Sequence, residues 1–271
     1  MFGQERAFVD GATEHRPTLI GLHGGPGFDG TKLRYQLAPL ADAAQVVVAD
    51  QRGHGRSDRG GAETWNIAAW AADVRKFCEA LDIERPVVLG VSFGGFVAQE
   101  YAAAHPEHPS GLILISTSAL LGSMEEAIER FREVGGEEAA DVVRRDWEAP
   151  TDETAAEWLR VCAPLLSLRK DPVLLRLRAE RIETIDVNVH FQAEGKAMDL
   201  RPRLAAIRCP TLVMLGERDP LIPVRRGEEI ASAIPNGLAR LEVIADAAHD
   251  VLVDNPEASY GAVRAFLAGL G

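Results

Sequence analysis

The sequence predicts an α/β fold: a mostly parallel central sheet flanked by helices, with a helical cap inserted between two of its strands. Two observations carry that expectation. Short β-rich apolar runs alternate with longer stretches of helical periodicity, and between Leu120 and Asp199 the strand pattern disappears before it resumes.

The strand candidates are residues 18–22 (TLIGL), 45–50 (QVVVAD), 86–91 (PVVLGV), 111–115 (GLILI), 211–215 (TLVML) and 241–244 (LEVI). Most are continuously apolar rather than alternating, the pattern of strands buried on both faces of a parallel sheet. Between the second and third runs, Trp70, Val74, Phe77, Cys78 and Leu81 recur at i, i+4, i+7, i+8 and i+11, which is one face of a helix. Strand, helix and strand repeated this way give a sheet with crossover helices. From Leu120 onward only helical stretches are legible, such as 124–134 and 152–162. Thr151 followed by Asp152 and Glu153, and Asp171 followed by Pro172, read as helix starts. The predicted organisation is an α/β core of residues 1–118 and 200–271, with residues 119–199 as a cap over the carboxyl edge of the sheet. A chain of 271 residues is long enough for one such core.

Composition narrows the function classes. Lys+Arg of 29 against Asp+Glu of 41 gives a net charge of −12, which repels a phosphate backbone or an anionic membrane. Neither nucleic acid nor membrane is an expected partner, and the sequence leaves the oligomeric state open. Cys78, Cys162 and Cys209 are odd in number, widely spaced and free of CxxC, so they form neither a disulfide framework nor a zinc site. That usage fits a reducing compartment. The N-terminal MFGQERAFVDG lacks the apolar stretch of a signal peptide, nothing approaches a membrane span, and the expected location is cytoplasmic. No metal-ligand spacing and no dinucleotide glycine fingerprint are present, so no metal or cofactor is expected.

The chemistry is concentrated in two glycine-rich motifs. Residues 90–94 (GVSFG), followed by Gly95, fit G-x-S-x-G at a strand-to-helix junction, with PVVLGV before and the helical FVAQEYAAAH after. A serine on so sharp a turn needs small neighbours, and the turn presents its hydroxyl at the helix N-terminus, where developing negative charge is favoured. Ser92 is the candidate nucleophile. Residues 23–27 (HGGPG) follow the first strand. Acyl transfer needs backbone donors aimed at an oxyanion, and glycines let the main chain approach closely. Pro26 has no N–H, so the donor comes from Gly24, Gly25 or Gly27. Gly25 is favoured, partnered by the amide of Phe93, the residue after the nucleophile.

HGGPG, DQRGHGRSD (50–58), GVSFGG, LGERDPLIP (215–223) and a late histidine in ADAAHD together resemble the α/β-hydrolase superfamily, and within it the proline iminopeptidase-like group. The resemblance runs from about residue 18 to the end, most of the cap excepted. It implies that Asp219, beyond the TLVML strand, is the acid, and that His249, after LEVI, is the base. The expected reaction is cleavage of a small ester or amide through an acyl-enzyme: His249 takes the Ser92 proton, the alkoxide attacks a carbonyl, and Asp219 orients the imidazole. Competing aspartates have other readings. Asp50 and Asp58 are also aspartates near strand ends, but Asp50 lies in the DQRGHG loop, where a carboxylate ties down a turn, and Asp246 is too near His249 along the chain. His54, His105, His108 and His190 read as structural or solvated.

The resemblance departs at three positions: Pro220 follows the acid where related sequences carry a glutamate, Phe93 stands where tryptophan or tyrosine is frequent, and Ala248 replaces a glycine. An iminopeptidase binds a free amine, and Glu148, Glu183 or Glu194 are the cap carboxylates available for it. Trp147, Trp158, Leu165, Leu166 and Leu168 suit an apolar acyl or leaving-group site, which keeps an esterase or lactonase on a small hydrophobic metabolite as the alternative. C–C bond hydrolysis or perhydrolysis with the same triad is also open. A non-catalytic binding protein of this fold requires a broken triad, and all three positions are intact.

Overall fold

The computed structural model describes residues 16–122 and 124–270; the MFGQERAFVDG stretch lies outside them. Each apolar run is a strand, with ends that differ by at most two residues from the sequence pattern: β1 Thr18–Leu22, β2 Gln45–Ala49, β3 Val87–Val91, β4 Gly111–Ile115, β5 Thr211–Gly216 and β6 Ala239–Ile244. They form one sheet in the order β2-β1-β3-β4-β5-β6, parallel at every pairing. The helices are α1 Thr31–Leu37, α2 Ile67–Ala80 and α3 Phe93–Ala104 before β4. Next come α4 Met124–Glu148, α5 Asp152–Val161, α6 Pro172–Glu180, α7 Ile185–Gly195 and α8 Arg201–Leu204 between β4 and β5. Then follow α9 Val224–Ala233, α10 Val251–Asp254 and α11 Pro256–Ala268.

Two apolar layers explain the continuous runs. Ile20, Leu22, Val88, Leu112, Leu114 and Val213 pack on one face against Trp70 of α2 and Val97 and Tyr101 of α3. Their neighbours Leu19, Val87, Leu89, Ile113, Leu212 and Met214 pack on the other, against Leu33 and Leu37 of α1 and Val263 and Phe266 of α11. Period two therefore stays invisible in the sequence, because both sets are apolar. At the edge, β6 exposes Val243. Along α2, Trp70, Val74 and Cys78 are buried as their spacing requires. Leu81 is not: the backbone leaves the helix there, at φ −113°, and the side chain stands in solvent.

Among the described residues, the regular elements between β4 and β5 are all helices joined by loops, apart from one short antiparallel bridge at each of Leu120 and Glu183. Both helix starts read from sequence hold. Thr151 and Thr154 exchange side-chain and backbone bonds in a capping box, and the Asp171 carboxylate accepts from the amides of Val173 and Leu174 at a helix that begins on Pro172. The α4 span is two helices in succession, broken at Gly136, whose φ of 72° lies in the left-handed region, so the first ends close to residue 134, where the sequence places its end. Ile128, Phe131, Val142, Val143 and Cys162 form a second, smaller core here, which Leu221 from the loop after β5 joins. Among the described residues no helix is long and apolar enough to cross a membrane.

In a parallel sheet all strand ends of one kind share an edge, so the loops leaving β1, β3, β4, β5 and β6 converge. Close approach of those loops leaves no room at Gly94, where a Cβ would lie 2.1 Å from the Leu22 carbonyl oxygen. Gly94→Ala is expected to cost about 1–3 kcal/mol through backbone displacement. Gly261→Ala, on the open face of α11 with nothing near the added methyl, is expected to gain roughly 0.4–1 kcal/mol. Urea unfolding midpoints that fail to move in opposite directions would contradict this packing.

Candidate active site

Ser92 joins β3 to α3 with φ 52° and ψ −116°, a conformation an L-residue adopts only under strain of about 1–3 kcal/mol. Three bonds hold it there. The Ser92 amide donates to the Ile115 carbonyl at 2.9 Å, and the Ser92 carbonyl accepts from the Gly95 amide and the Thr117 hydroxyl, both at 2.8 Å. The Phe93 ring is buried edge-on against Trp70 and Phe191, which locks the first turn of α3.

Asp219 lies past β5 and His249 past β6, both buried. The carboxylate is divided between two tasks: Oδ1 accepts the amides of Leu221 (2.8 Å) and Ile222 (3.0 Å), and Oδ2 accepts His249 Nδ1 at 2.8 Å. With Nδ1 donating, the neutral ring offers Nε2 as an acceptor. Ser116 fixes the backbone, its hydroxyl donating to the His249 carbonyl at 2.7 Å. Burial alone would depress the His249 pKa, but the charge and hydrogen bond of Asp219, with Asp250 adding to them, outweigh it and raise the imidazolium above its ordinary range.

Ser92 and His249 line the same cavity, about 600 Å³ in volume, without a hydrogen bond between them among the described residues. In substrate-free hydrolytic sites such contacts are often long and tighten on binding. Gly25 and Phe93 line it as well, and neither amide donates to a described residue, so both remain available to a ligand. The turn that carries Gly25 is set by His23, which is buried and held neutral by that burial. Its Nδ1 donates to the Gly24 carbonyl at 2.9 Å, and its Nε2 accepts the Gln51 amide at 3.0 Å.

The competing residues lie elsewhere. Asp50 binds the amides of Gly30 and Arg56 and so ties down its turn. Asp246 is exposed beside Arg218. His54 is buried against Trp70 and Phe93, and burial, then its neighbour His23, push its pKa down to about 3. Trp147, Trp158 and Leu166 reach the cavity wall, whereas Leu165 packs into the helical core and Leu168 is exposed. Of the cap glutamates, Glu148 is exposed and Glu183 pairs with Arg181; neither lines the cavity, and the Glu194 side chain lies outside the described residues.

The sequence reading missed Asp146, Arg130 and Asp254. Asp146 is a buried cavity carboxylate that accepts from the Thr154 hydroxyl and the Gln192 amide and has no ion pair with a described residue. Two residues before the exposed Glu148, it looks like any acidic helix residue until the fold turns it inward. Arg130 of α4 donates to the carbonyls of Pro220 (3.0 Å) and Leu221 (3.1 Å), gripping the peptide whose amides hold Asp219. Asp254 is fully buried. Its Oδ2 accepts the Ala248 amide at 2.8 Å, and its Oδ1 accepts the Ser167 hydroxyl and the amides of Leu168 and Arg169 at 2.7–3.0 Å. The helical segment is thus fastened to the loops of both Asp219 and His249.

Residues 17–256 match the family described as alpha/beta hydrolase fold. The chain is 26% identical to the proline iminopeptidase PfmaB of Pestalotiopsis fici, over 98% of this chain and 96% of that one. Among solved structures it is similar to the proline iminopeptidase of Mycobacterium smegmatis (TM-score 0.76, 26% identity, 96% and 91% of the two chains covered). It is also similar to the enol-lactonase of Burkholderia xenovorans (TM-score 0.70, 27% identity, 96% and 95% covered).

The Asp219–His249 bond sets the titration expected of this site. Wild-type His249, followed by its ring-proton NMR signals, is expected to titrate above the ordinary value of about 6.5. In Asp219→Asn the burial remains without the compensating charge, so the midpoint is expected to fall below that value. A wild-type midpoint below it would contradict the pairing.

Proposed function

The chain belongs to the alpha/beta hydrolase fold family, and on that premise we propose that it is a serine hydrolase of small ester or amide substrates, working through an acyl-enzyme on Ser92. The hydrogen bond between Asp219 and His249, in one cavity with a strained serine and two amides that donate to no described residue, is the observation that carries this reading.

In the proposed reaction His249 Nε2 takes the hydroxyl proton as Ser92 Oγ bonds to the substrate carbonyl carbon. The amides of Gly25 and Phe93 hold the oxyanion, and Asp219 keeps the imidazole in the required tautomer. His249 then protonates the leaving alcohol or amine as its bond to carbon breaks, leaving the acyl group on Ser92. Water, deprotonated by the same imidazole, releases the acid. Because the imidazole must be unprotonated to act, turnover rises with pH through its raised midpoint. Residues 119–199 act as the cap that covers the cavity, over a core of residues 1–118 and 200–271. Three buried free thiols support a reducing, cytoplasmic setting.

Among substrates, a proline iminopeptidase-like reaction is favoured by Asp146. A buried carboxylate with no counter-ion among the described residues, facing the cavity, offers a free amine the partner it lacks. The alternative, an esterase or lactonase, draws on the apolar wall of Phe131, Trp158, Leu159 and Phe191. Proline arylamide and p-nitrophenyl butyrate separate the two. The first reading expects arylamide turnover that is lost when the proline nitrogen is acylated; turnover of the ester alone decides for the second. For the reaction itself, Ser92→Ala is expected to abolish fluorophosphonate labelling and lower turnover by about 10⁴-fold or more. Unchanged labelling and hydrolysis in that variant refute the proposal.

A further inference from the structure

The cavity wall carries the opposite charge balance from the chain. The chain has a net charge of −12, yet Lys and Arg on the wall number eight against five Asp and Glu, so the mouth is locally cationic. Most of these cations are already engaged. Lys32 pairs with Asp250, Arg130 and Arg226 with Glu126, and Arg181 with Glu183, while Lys196 donates to the Trp147 carbonyl.

Three are not engaged. The side chains of Arg169, Lys170 and Arg178 make no hydrogen bond or ion pair with a described residue. They come from one stretch, the turn before α6 and α6 itself, a helix that buries none of its residues. Leu168 and Leu175 on that stretch are 47% and 53% exposed, uncommon for leucine beside a cavity. The nearby Asp171 carboxylate is taken up by the helix amides and the Tyr35 hydroxyl. The position of the stretch is fixed, since Asp254 holds the amides of Leu168 and Arg169 with the same carboxylate that holds the residue before His249.

We propose that Arg169, Lys170 and Arg178 form a carboxylate-binding rim, so that the substrate carries a carboxylate at its end remote from the scissile carbonyl, with an apolar stretch between them against Leu174 and Leu175. This rests on the serine hydrolase reading above. A cationic mouth on an otherwise acidic surface draws anions toward it and repels them elsewhere. Two guanidinium forks match a carboxylate in geometry as well as sign, and the ammonium adds a third positive charge. Each exposed contact is weak and screened by salt, so the rim acts as a group. A short peptide would place the carboxylate on the leaving group; a dicarboxylic hemiester would place it on the acyl group.

Matched pairs test the rim at low ionic strength: hemi-p-nitrophenyl esters of glutaric to sebacic acid against p-nitrophenyl alkanoates of equal length, and prolylglycine against prolylglycinamide. The expected result is a kcat/KM roughly tenfold higher for the charged member in one arm. That advantage should shrink toward unity in high salt and in the Arg169→Gln, Lys170→Gln, Arg178→Gln triple variant. The arm that responds tells which side of the scissile bond faces the rim. Equal or lower kcat/KM for the charged members in both arms, or a preference that survives the triple variant, overturns the proposal. If no pair is turned over, the hydrolase reading falls by itself. Calorimetric binding of the same pairs to Ser92→Ala protein then decides for the rim if the charged member binds tighter, and against it if not.

Discussion

The backbone conformation of Ser92 is the constraint around which the rest is arranged. A left-handed serine between a buried strand and a buried helix is tolerated only where neighbours over-determine it. Ile115, Gly95 and Thr117 supply the bonds, and the glycine at 94 supplies the space. Those partners come from β4 and its loop as well as from α3, so the serine is fixed by the middle of the sheet rather than by its own turn. The hydroxyl therefore stands at a defined place on the carboxyl edge, and the other loops need only deliver their groups to it.

Delivery from β5 and β6 uses backbone more than side chains. Asp219 is aimed by two amides of its own loop and His249 by the Ser116 hydroxyl. Arg130 and Asp254 then extend the network outward, the first gripping the carbonyls of the Asp219 loop and the second the amide before His249. Both also belong to, or hold, the helical segment between β4 and β5. The segment that shapes the cavity is thus linked through hydrogen bonds to the residues proposed to do chemistry in it. A seating error of the segment would be felt at the imidazole.

Legibility in the sequence followed physical cause. The strands were readable because a parallel sheet buried on both faces demands unbroken apolar runs. The strand-to-helix turn at Ser92 and the HGGPG turn were readable because backbone geometry demands glycine at fixed places. Boundaries were less so: Leu81 continues a helical spacing, yet the chain has already left the helix there. Carboxylate roles were the hardest. Asp146, Glu148 and Asp254 are each an acidic residue in or beside a helix, and only tertiary placement makes one a cavity wall, one a solvated surface and one a buried anchor. Pro220 shows the same limit, since its contribution is a carbonyl to Arg130 that no side-chain pattern announces.

Rapid-quench reaction with p-nitrophenyl acetate, followed by peptide mass spectrometry, addresses the acyl-enzyme itself. The account predicts a burst of nitrophenol matched by one acetyl group per chain, mapped to the peptide containing Ser92 and to that hydroxyl. Steady nitrophenol release with no acylated protein, or an acetyl group on another side chain that is lost at the rate of turnover, would contradict it.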